Sequence, residues 1–220
     1  MRVSTLHCSR VAHPEIVIQF DEPMVITSDA RAFVTGLEEE VLSGRRFKDG
    51  ETLQVGWSLA LFRAAQPDVL AVWEPDMESF PMRFVDSVSR TLMHLRLQRD
   101  VAESLSLSPR FPSMRESGMR CSWAHEPSSL VMERFEPEGA SSGWFIHCGS
   151  PSHDHENAEN LVRESLYAIA LDQPGVISYL ALPPGSVVLL KDSVPESISV
   201  NGAPLVAKKG SYLDARIGRI

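Results

Sequence analysis

The chain has 220 residues, of which 43% are hydrophobic and 23% are charged. This composition is typical of globular proteins and excludes a largely disordered chain. The formal net charge is −8, and both halves are acidic: residues 1–107 carry 11 basic and 16 acidic side chains, and residues 108–220 carry 10 and 13. Neither half has the basic stripe of a nucleic-acid-binding protein, so the charge favours a basic protein partner.

The sequence predicts a cytoplasmic protein. The N-terminus has no continuous apolar h-region before its charged residues, and no window approaches eighteen uninterrupted apolar residues, so we expect neither a signal peptide nor a membrane span. Three widely spaced cysteines, Cys8, Cys121 and Cys148, do not form a disulfide framework and fit a reducing compartment. Their apolar neighbours are typical of buried, inert thiols.

The first half alternates predicted strands and helices. Apolar and β-branched residues predict strands at residues 15–20, 53–62 and 69–73. Apolar side chains at helical spacing predict helices at residues 28–42 and 84–105. Alternation within the second strand places Trp57 in the core. The order β-α-β-β-α predicts an α+β domain, a mostly antiparallel sheet packed by helices.

Residues 108–118 contain two prolines and three serines without periodicity, so we expect a linker between domains 1–107 and 119–220. The second domain has predicted strands at 119–124, 130–135, 142–146, 187–191 and 197–200. Its predicted helices are a long one that Asn157 would cap, residues 157–171, and a short one beginning at Pro174. Asn201-Gly202 predicts a hairpin turn. The predicted fold class is therefore α+β, with two small sandwich-like domains.

The stretch from 138 to 161 contains the most promising functional residues. A short apolar strand around Trp144 is followed by Gly149, Pro151 and the titratable run 153–156, which predicts a rigid strand presenting a polar surface loop. Acidic residues also flank this strand. The candidate partner-binding residues are Glu136, Glu138, His153, Asp154, His155, Glu156 and Glu159.

A metal or catalytic site is the competing interpretation. His147, Cys148, His153, Asp154 and His155 are all possible zinc ligands. However, the sequence has no CxxC or HExxH spacing, and His147 and Cys148 would point to opposite faces of a regular strand. It also lacks the nucleophile, P-loop and dinucleotide-binding motifs. We therefore assign no catalytic residues, no metal ligands and no cofactor.

Several short segments of the second half resemble the immunity-33 type of domain, which is found beside bacterial polymorphic toxins. They are Met119-Arg120-Cys121-Ser122, Ser142-Gly143-Trp144-Phe145, the acidic stretch to Asn160, Leu166-Tyr167-Ala168-Ile169, Pro174-Gly175-Val176-Ile177 and Leu182-Pro183-Pro184-Gly185-Ser186. The sequence departs from the family pattern in its histidine-rich loop, where the family is more simply acidic. The role of the first domain stays unassigned.

The resemblance implies an immunity protein that binds a cognate secreted toxin and covers or distorts its active site. The toxin would be a basic nuclease delivered by contact-dependent or type VI secretion, and no nucleic acid, membrane or small-molecule substrate would be bound. Two other functions stay open on the residues alone. One is a metal-dependent hydrolase built on His147, His153, His155 and Asp154, and the other is a small-molecule-binding regulatory module.

Overall fold

In the computed structural model, which describes residues 1–124 and 129–217, the chain divides into two units, Met1–Leu95 and Arg96–Ile220. Each unit is built on its own sheet, and the two sheets have six and seven strands. Both are mostly antiparallel and carry few helices, which confirms the predicted α+β class. No described helix combines the length and the apolar character that crossing a membrane requires.

The first unit is a six-stranded sheet. Its strands are β1 (Arg2–Ser4), β2 (Glu15–Gln19), β3 (Thr52–Val55), β4 (Ser58–Gln66), β5 (Val69–Pro75) and β6 (Phe84–Val85). The order is β1-β2-β5-β4-β3, with β6 on β5, and only β2 and β5 run parallel. Helix α1 (Thr27–Leu42) packs on β1 and β2. Its buried residues recur every three or four positions and so lie on one face: Ala30, Val34, Leu37 and Val41.

Helix α2 (Ser89–Ser104) contains the boundary between the units. The strands of the second unit are β7 (Ser117–Cys121), β8 (Ser129–Arg134), β9 (Ser141–Cys148), β10 (Leu161–Ser165), β11 (Ser186–Lys191), β12 (Val194–Val200) and β13 (Ala203–Pro204). Their order is β10-β7-β9-β8-β11-β12-β13, and β7 and β9 are parallel neighbours. Helix α3 (Leu166–Asp172) packs on β7 and β10, and α4 (Tyr212–Ile217) packs on β12.

The predicted single strand at 53–62 is wrong, because the chain reverses in its middle. Strands β3 and β4 form a hairpin, and Gly56 has a φ of 61° at the turn, a conformation that glycine adopts without steric cost. Trp57 lies in this turn and is fully buried, as expected. Alternation misled the prediction because both arms of a tight hairpin share one alternating pattern.

The predicted helix at 84–105 begins later than expected. Phe84 belongs to β6, and α2 begins at Ser89, where the backbone N–H groups of Arg90 and Thr91 donate to the buried carboxylate of Glu74 (3.1 and 2.6 Å). The Oγ of Ser87 accepts from the N–H of Ser89. These acceptors satisfy the first N–H groups of the helix and explain why it starts here.

The predicted helix at 157–171 is replaced by three shorter elements. Asn157 caps only a 3₁₀ turn, Ala158–Asn160, and strand β10 follows it. Helix α3 starts after Ser165, whose hydroxyl accepts from the N–H of Ala168. The register of β10 against β7 is continuous over five residues, so pairing with the sheet prevails over the helical spacing of the apolar residues.

The predicted linker, residues 108–118, lies inside the second unit. Met114 is fully buried, and the backbone N–H of Arg110 donates to the carbonyl of Ala181 (2.7 Å). The division into independently folding domains stays a prediction. Residues 125–128, which separate the predicted strands 119–124 and 130–135, lie outside the described residues. Asn201 and Gly202 have the positive φ angles (50° and 77°) that the predicted hairpin turn requires.

Candidate partner-binding surface

Gly143 fixes the geometry of β9 where it meets the end of β8. Its φ is +79°, and a Cβ at this position would lie 2.1 Å from the carbonyl oxygen of Phe135. The N–H of Phe135 in turn donates to the carbonyl of Gly143 (2.9 Å). Trp144 comes next and is buried, with its indole N–H donating to the carbonyl of Leu180 (3.0 Å). Only glycine tolerates this close approach, so the backbone geometry requires the glycine of the Ser-Gly-Trp sequence.

Arg134, the last residue of β8, is buried and fixes the end of the strand through hydrogen bonds in the interior of the unit. Its guanidinium donates to the backbone carbonyls of Arg110, Leu180 and Leu182 and lies 5.5 Å from the ring of Trp144. Burial lowers the pKa of Arg134 to about 10, so the side chain stays charged at neutral pH. The loop that follows β8 therefore starts from a fixed point.

A groove of about 460 Å³ runs beside this loop. Glu136 and Glu138 line it from the loop, Phe145 lines it from β9, and Arg163 lines it from β10. His155 reaches it from the segment between β9 and β10. The structure thus brings three of the predicted contact residues together, although they are up to 19 positions apart in the chain.

The other acidic candidates, Asp154, Glu156 and Glu159, are exposed on the segment between β9 and β10. Local hydrogen bonds shape this segment: Asp154 Oδ1 accepts from the N–H of Glu156 (3.0 Å), and its carbonyl accepts from the side-chain amide of Asn160 (2.8 Å). Asn157 Oδ1 accepts from the N–H of Glu159 (3.0 Å). These three carboxylates are open to solvent and free to meet a basic surface.

His153 is buried, so the expectation of a solvated loop is wrong at this residue. Its ring stacks on that of Trp123, with centroids 4.3 Å apart, and its Nδ1 lies 3.3 Å from the sulfur of Cys148. His155 approaches the same sulfur, with its Nε2 at 3.3 Å. Both imidazoles turn inward toward the end of β9, and their part in partner binding stays a prediction.

The second unit is similar to a known domain over most of its length. Residues 97–200 match the Imm33-like domain. This match confirms the resemblance of the second half to the immunity-33 type. The match and the second unit both begin within α2, upstream of the predicted boundary at residue 119. Searches among curated proteins and solved structures give no significant match.

In the matched region, His147 lies on β9 and not in the loop, and its ring packs against that of His155, with centroids 4.5 Å apart. Its Nδ1 donates to the carbonyl of Cys148 (3.0 Å), and its Nε2 lies 3.9 Å from a carboxylate oxygen of Glu133. Burial lowers the pKa of His155, and the neighbouring charges of His147 and His153 lower it further. His155 is therefore held in its neutral form at physiological pH.

Cys121 is the residue that sequence reasoning missed. The N–H of Cys148 donates to its sulfur (3.2 Å), and burial raises the pKa of the Cys121 thiol. One ligand atom from each of Cys121, Cys148, His153 and His155 lies within 4.8 Å of the others. The two cysteines are 27 positions apart, so spacing gave no signal. Only the parallel pairing of β7 with β9 brings their ends together.

Two exposed aromatic side chains accompany the acidic residues. Phe135 is 58% exposed and lines the groove, and Trp123 is 53% exposed and covers His153. Exposed aromatics are typical anchors of protein interfaces. The sequence did not indicate that Phe135 is exposed, because the alternation of β8 ends one residue before it.

Proposed function

We propose that this chain is an immunity protein that binds and neutralises a cognate bacterial toxin in the cytoplasm. The toxin is a basic nuclease delivered by contact-dependent or type VI secretion. The chain inhibits it by occluding or distorting its active site. The observation that carries the proposal is the groove in the region that matches the Imm33-like domain, where exposed Glu136 and Glu138 stand beside exposed Phe135.

The charges of this surface suit a partner that binds nucleic acid. A nuclease carries basic side chains that neutralise phosphates, and exposed carboxylates can take the place of those phosphates. Glu136 and Glu138 lie at one side of the surface, and Asp154, Glu156 and Glu159 lie on the segment after β9. Complementary charge speeds encounter and disfavours wrong partners.

The exposed aromatic residues can give the complex a long lifetime, which exposed charges alone do not. Exposed carboxylates at the edge of an interface change the association rate more than the lifetime of the complex. Desolvated aromatic anchors near its centre determine the lifetime. Phe135 is next to Glu136 in the chain, and Trp123 stacks on the histidine that precedes Asp154. Each acidic group therefore has an apolar anchor beside it.

We infer a binding function rather than catalysis. The metal-dependent hydrolase would require His147, His153, His155 and Asp154 to converge on one ion. His147 instead bonds to a backbone carbonyl, and Asp154 is exposed and accepts a backbone N–H. A purified chain that hydrolyses a substrate without a protein partner would contradict this inference.

The experiment uses the toxin-like C-terminal domain encoded by the neighbouring reading frame. Bacteria expressing that domain should survive when they also express this chain, and the two purified proteins should form a complex. Replacing Glu136, Glu138, Asp154 and Glu156 together with lysine should slow association by about tenfold or more. Association of the unaltered chain should also slow as salt rises, because screening shortens the reach of the field.

A matched control separates local charge from total charge. Reversing the exposed residues Glu22, Glu39, Glu40 and Glu103 adds the same positive charge, so both sets bring the formal net charge from −8 to 0. The control set should leave association and protection nearly unchanged. Equal loss in both sets, or binding that is insensitive to both, would refute the assigned surface. Survival that does not need this chain would refute the immunity function.

A further inference from the structure

Four metal-binding side chains converge at the ends of two neighbouring strands. Cys121 ends β7 and Cys148 ends β9, and these strands run parallel, so both sulfurs lie at the same edge of the sheet. The segment after β9 returns over this edge and brings His153 and His155 to the sulfur of Cys148, each with a ring nitrogen at 3.3 Å. A chain segment and two strands thus contribute to one cluster.

The distances in this cluster fit a single tetrahedral ion. With bonds of about 2.3 Å to sulfur and 2.0 Å to nitrogen, a tetrahedral zinc site places sulfur and nitrogen about 3.5 Å apart. Both sulfur–nitrogen distances from Cys148 are 3.3 Å, and one ligand atom from each of the four residues lies within 4.8 Å of the others. Only small side-chain adjustments separate the cluster from coordination geometry.

The environment of the cluster also suits an ion. Cys121 is fully buried, and Cys148 and His153 are 4% and 6% exposed. The Nδ1 atom of His153 faces the sulfur of Cys148 at 3.3 Å and is the ring nitrogen placed to bind an ion. Three of the four residues are thus withdrawn from solvent, and His155 is half-buried.

We propose that Cys121, Cys148, His153 and His155 bind one structural zinc ion. Two thiolates and two imidazoles in tetrahedral arrangement are a ligand set that zinc prefers. All four positions are filled by protein side chains, which is the arrangement of structural rather than catalytic zinc sites. Binding converts both thiols to thiolates and releases their two protons to the solvent.

A zinc ion at this site explains why the loop after β9 contains two histidines. The ion fastens the segment between β9 and β10 to the sheet at two points, His153 and His155. Asp154 lies between these two ligands and Glu156 follows them directly. Zinc therefore fixes the position of these exposed carboxylates relative to the groove. Zinc binding itself does not depend on the proposed immunity function and is measured without any toxin.

The test measures the metal content of the full chain, purified under reducing conditions and supplied with zinc alone. One zinc per chain is expected, with X-ray absorption showing two sulfur ligands at about 2.3 Å and two nitrogen ligands at about 2.0 Å. Cobalt alone, supplied to chelator-treated protein, should give the visible spectrum of a tetrahedral thiolate site. Cys121→Ser and His155→Ala should each weaken zinc binding by more than about 100-fold, the upper end for outer-sphere partners.

Control variants keep the test decisive. Cys8→Ser and His7→Gln alter a cysteine and a histidine of the first unit and should retain one zinc. If the ligand variants do not fold, the unaltered chain still tests the proposal. Zinc should protect the thiols of Cys121 and Cys148 from a thiol reagent, and a chelator should make them reactive. Substoichiometric zinc, coordination by nitrogen and oxygen alone, or a Cys121–Cys148 disulfide in the reduced preparation would overturn the proposal.

Discussion

Acid should destabilise the first unit through one buried histidine, His94. This residue lies on α2, is 5% exposed, and its Nδ1 accepts the indole N–H of Trp57 (3.4 Å). Burial, with a smaller effect of the Arg90 charge one turn earlier, lowers the pKa of His94 to about 4. Protonation at Nδ1 would place a buried charge there and remove the acceptor that the Trp57 N–H has among the described residues.

The direction and size of the effect follow from proton linkage. The unfolded chain binds the proton at the ordinary histidine pKa of about 6.5, whereas the folded unit binds it near 4. The stability contributed by neutral His94 is therefore complete above pH 6.5 and is lost as the pH falls toward 4. Linkage gives a loss of about 2 kcal/mol between pH 7 and pH 5, and about 3 kcal/mol in total.

Nuclear magnetic resonance and urea unfolding check this prediction. The imidazole resonances of His94 should titrate near pH 4, and the free energy of unfolding should fall by about 2 kcal/mol between pH 7 and pH 5. This window avoids most of the contribution of Glu15 and Glu38, whose lowered pKa values confine their loss to more acid solution. His94→Gln should remove about 2 kcal/mol of this loss, and the more exposed His7→Gln should leave it in place.

Two outcomes would refute the reasoning. One is an unfolding free energy that is the same at pH 7 and pH 5 within experimental error. The other is a His94→Gln variant that loses as much stability as the unaltered chain over this range. A resonance that titrates near pH 6.5 would show that His94 is hydrated in solution and that its burial does not control its charge.

Three further predictions concern stability. Trp144→Ala should cost about 3–5 kcal/mol of unfolding free energy, because it removes a buried side chain, whereas exposed Trp123→Ala should cost under about 1 kcal/mol and weaken toxin binding. Gly143→Ala should cost at least about 2 kcal/mol, because its Cβ would meet a backbone carbonyl, whereas Gly139→Ala, with positive φ but open space, should cost about 1 kcal/mol. Glu74→Ala should cost about 1–3 kcal/mol by leaving two N–H groups of α2 without an acceptor. Chemical denaturation measures each value, and a reversed order within either pair would contradict its argument.

Local patterns in the sequence were enough to predict the fold class and most strands. Alternating apolar residues predicted β8 and β9, and the Asn201-Gly202 pair predicted the last hairpin, because each signal depends on neighbours in the chain. Failures came where a distant partner decides the conformation. Leu161 has helical spacing with later apolar residues but pairs with Cys121 of β7. Likewise, α2 begins where the carboxylate of Glu74 can accept its N–H groups.

The proposed surface shows the same division. Charge and loop signals predicted that Glu136, Glu138 and Asp154 are exposed, because charged side chains between strands are mostly solvated. The inward turn of His153 could not be predicted, because it depends on two strand ends that meet only through the parallel pairing of β7 and β9. From the sequence alone, a histidine within an acidic loop is interpreted as one more polar contact residue. Only the structure shows that Cys121 lies close to it.

The same segment between β9 and β10 carries the exposed carboxylates and two members of the cysteine–histidine cluster. A loop that must present carboxylates to a partner gains from being ordered beforehand, because ordering during binding costs free energy. Long polar loops lack the apolar contacts that would order them, and this one has the buried cluster beneath it instead. If zinc fastens the loop, its removal should slow toxin association and weaken protection while the sheet stays folded. Variants lacking the exposed carboxylates should still bind zinc. The two sets of variants therefore separate what shapes the surface from what contacts the toxin.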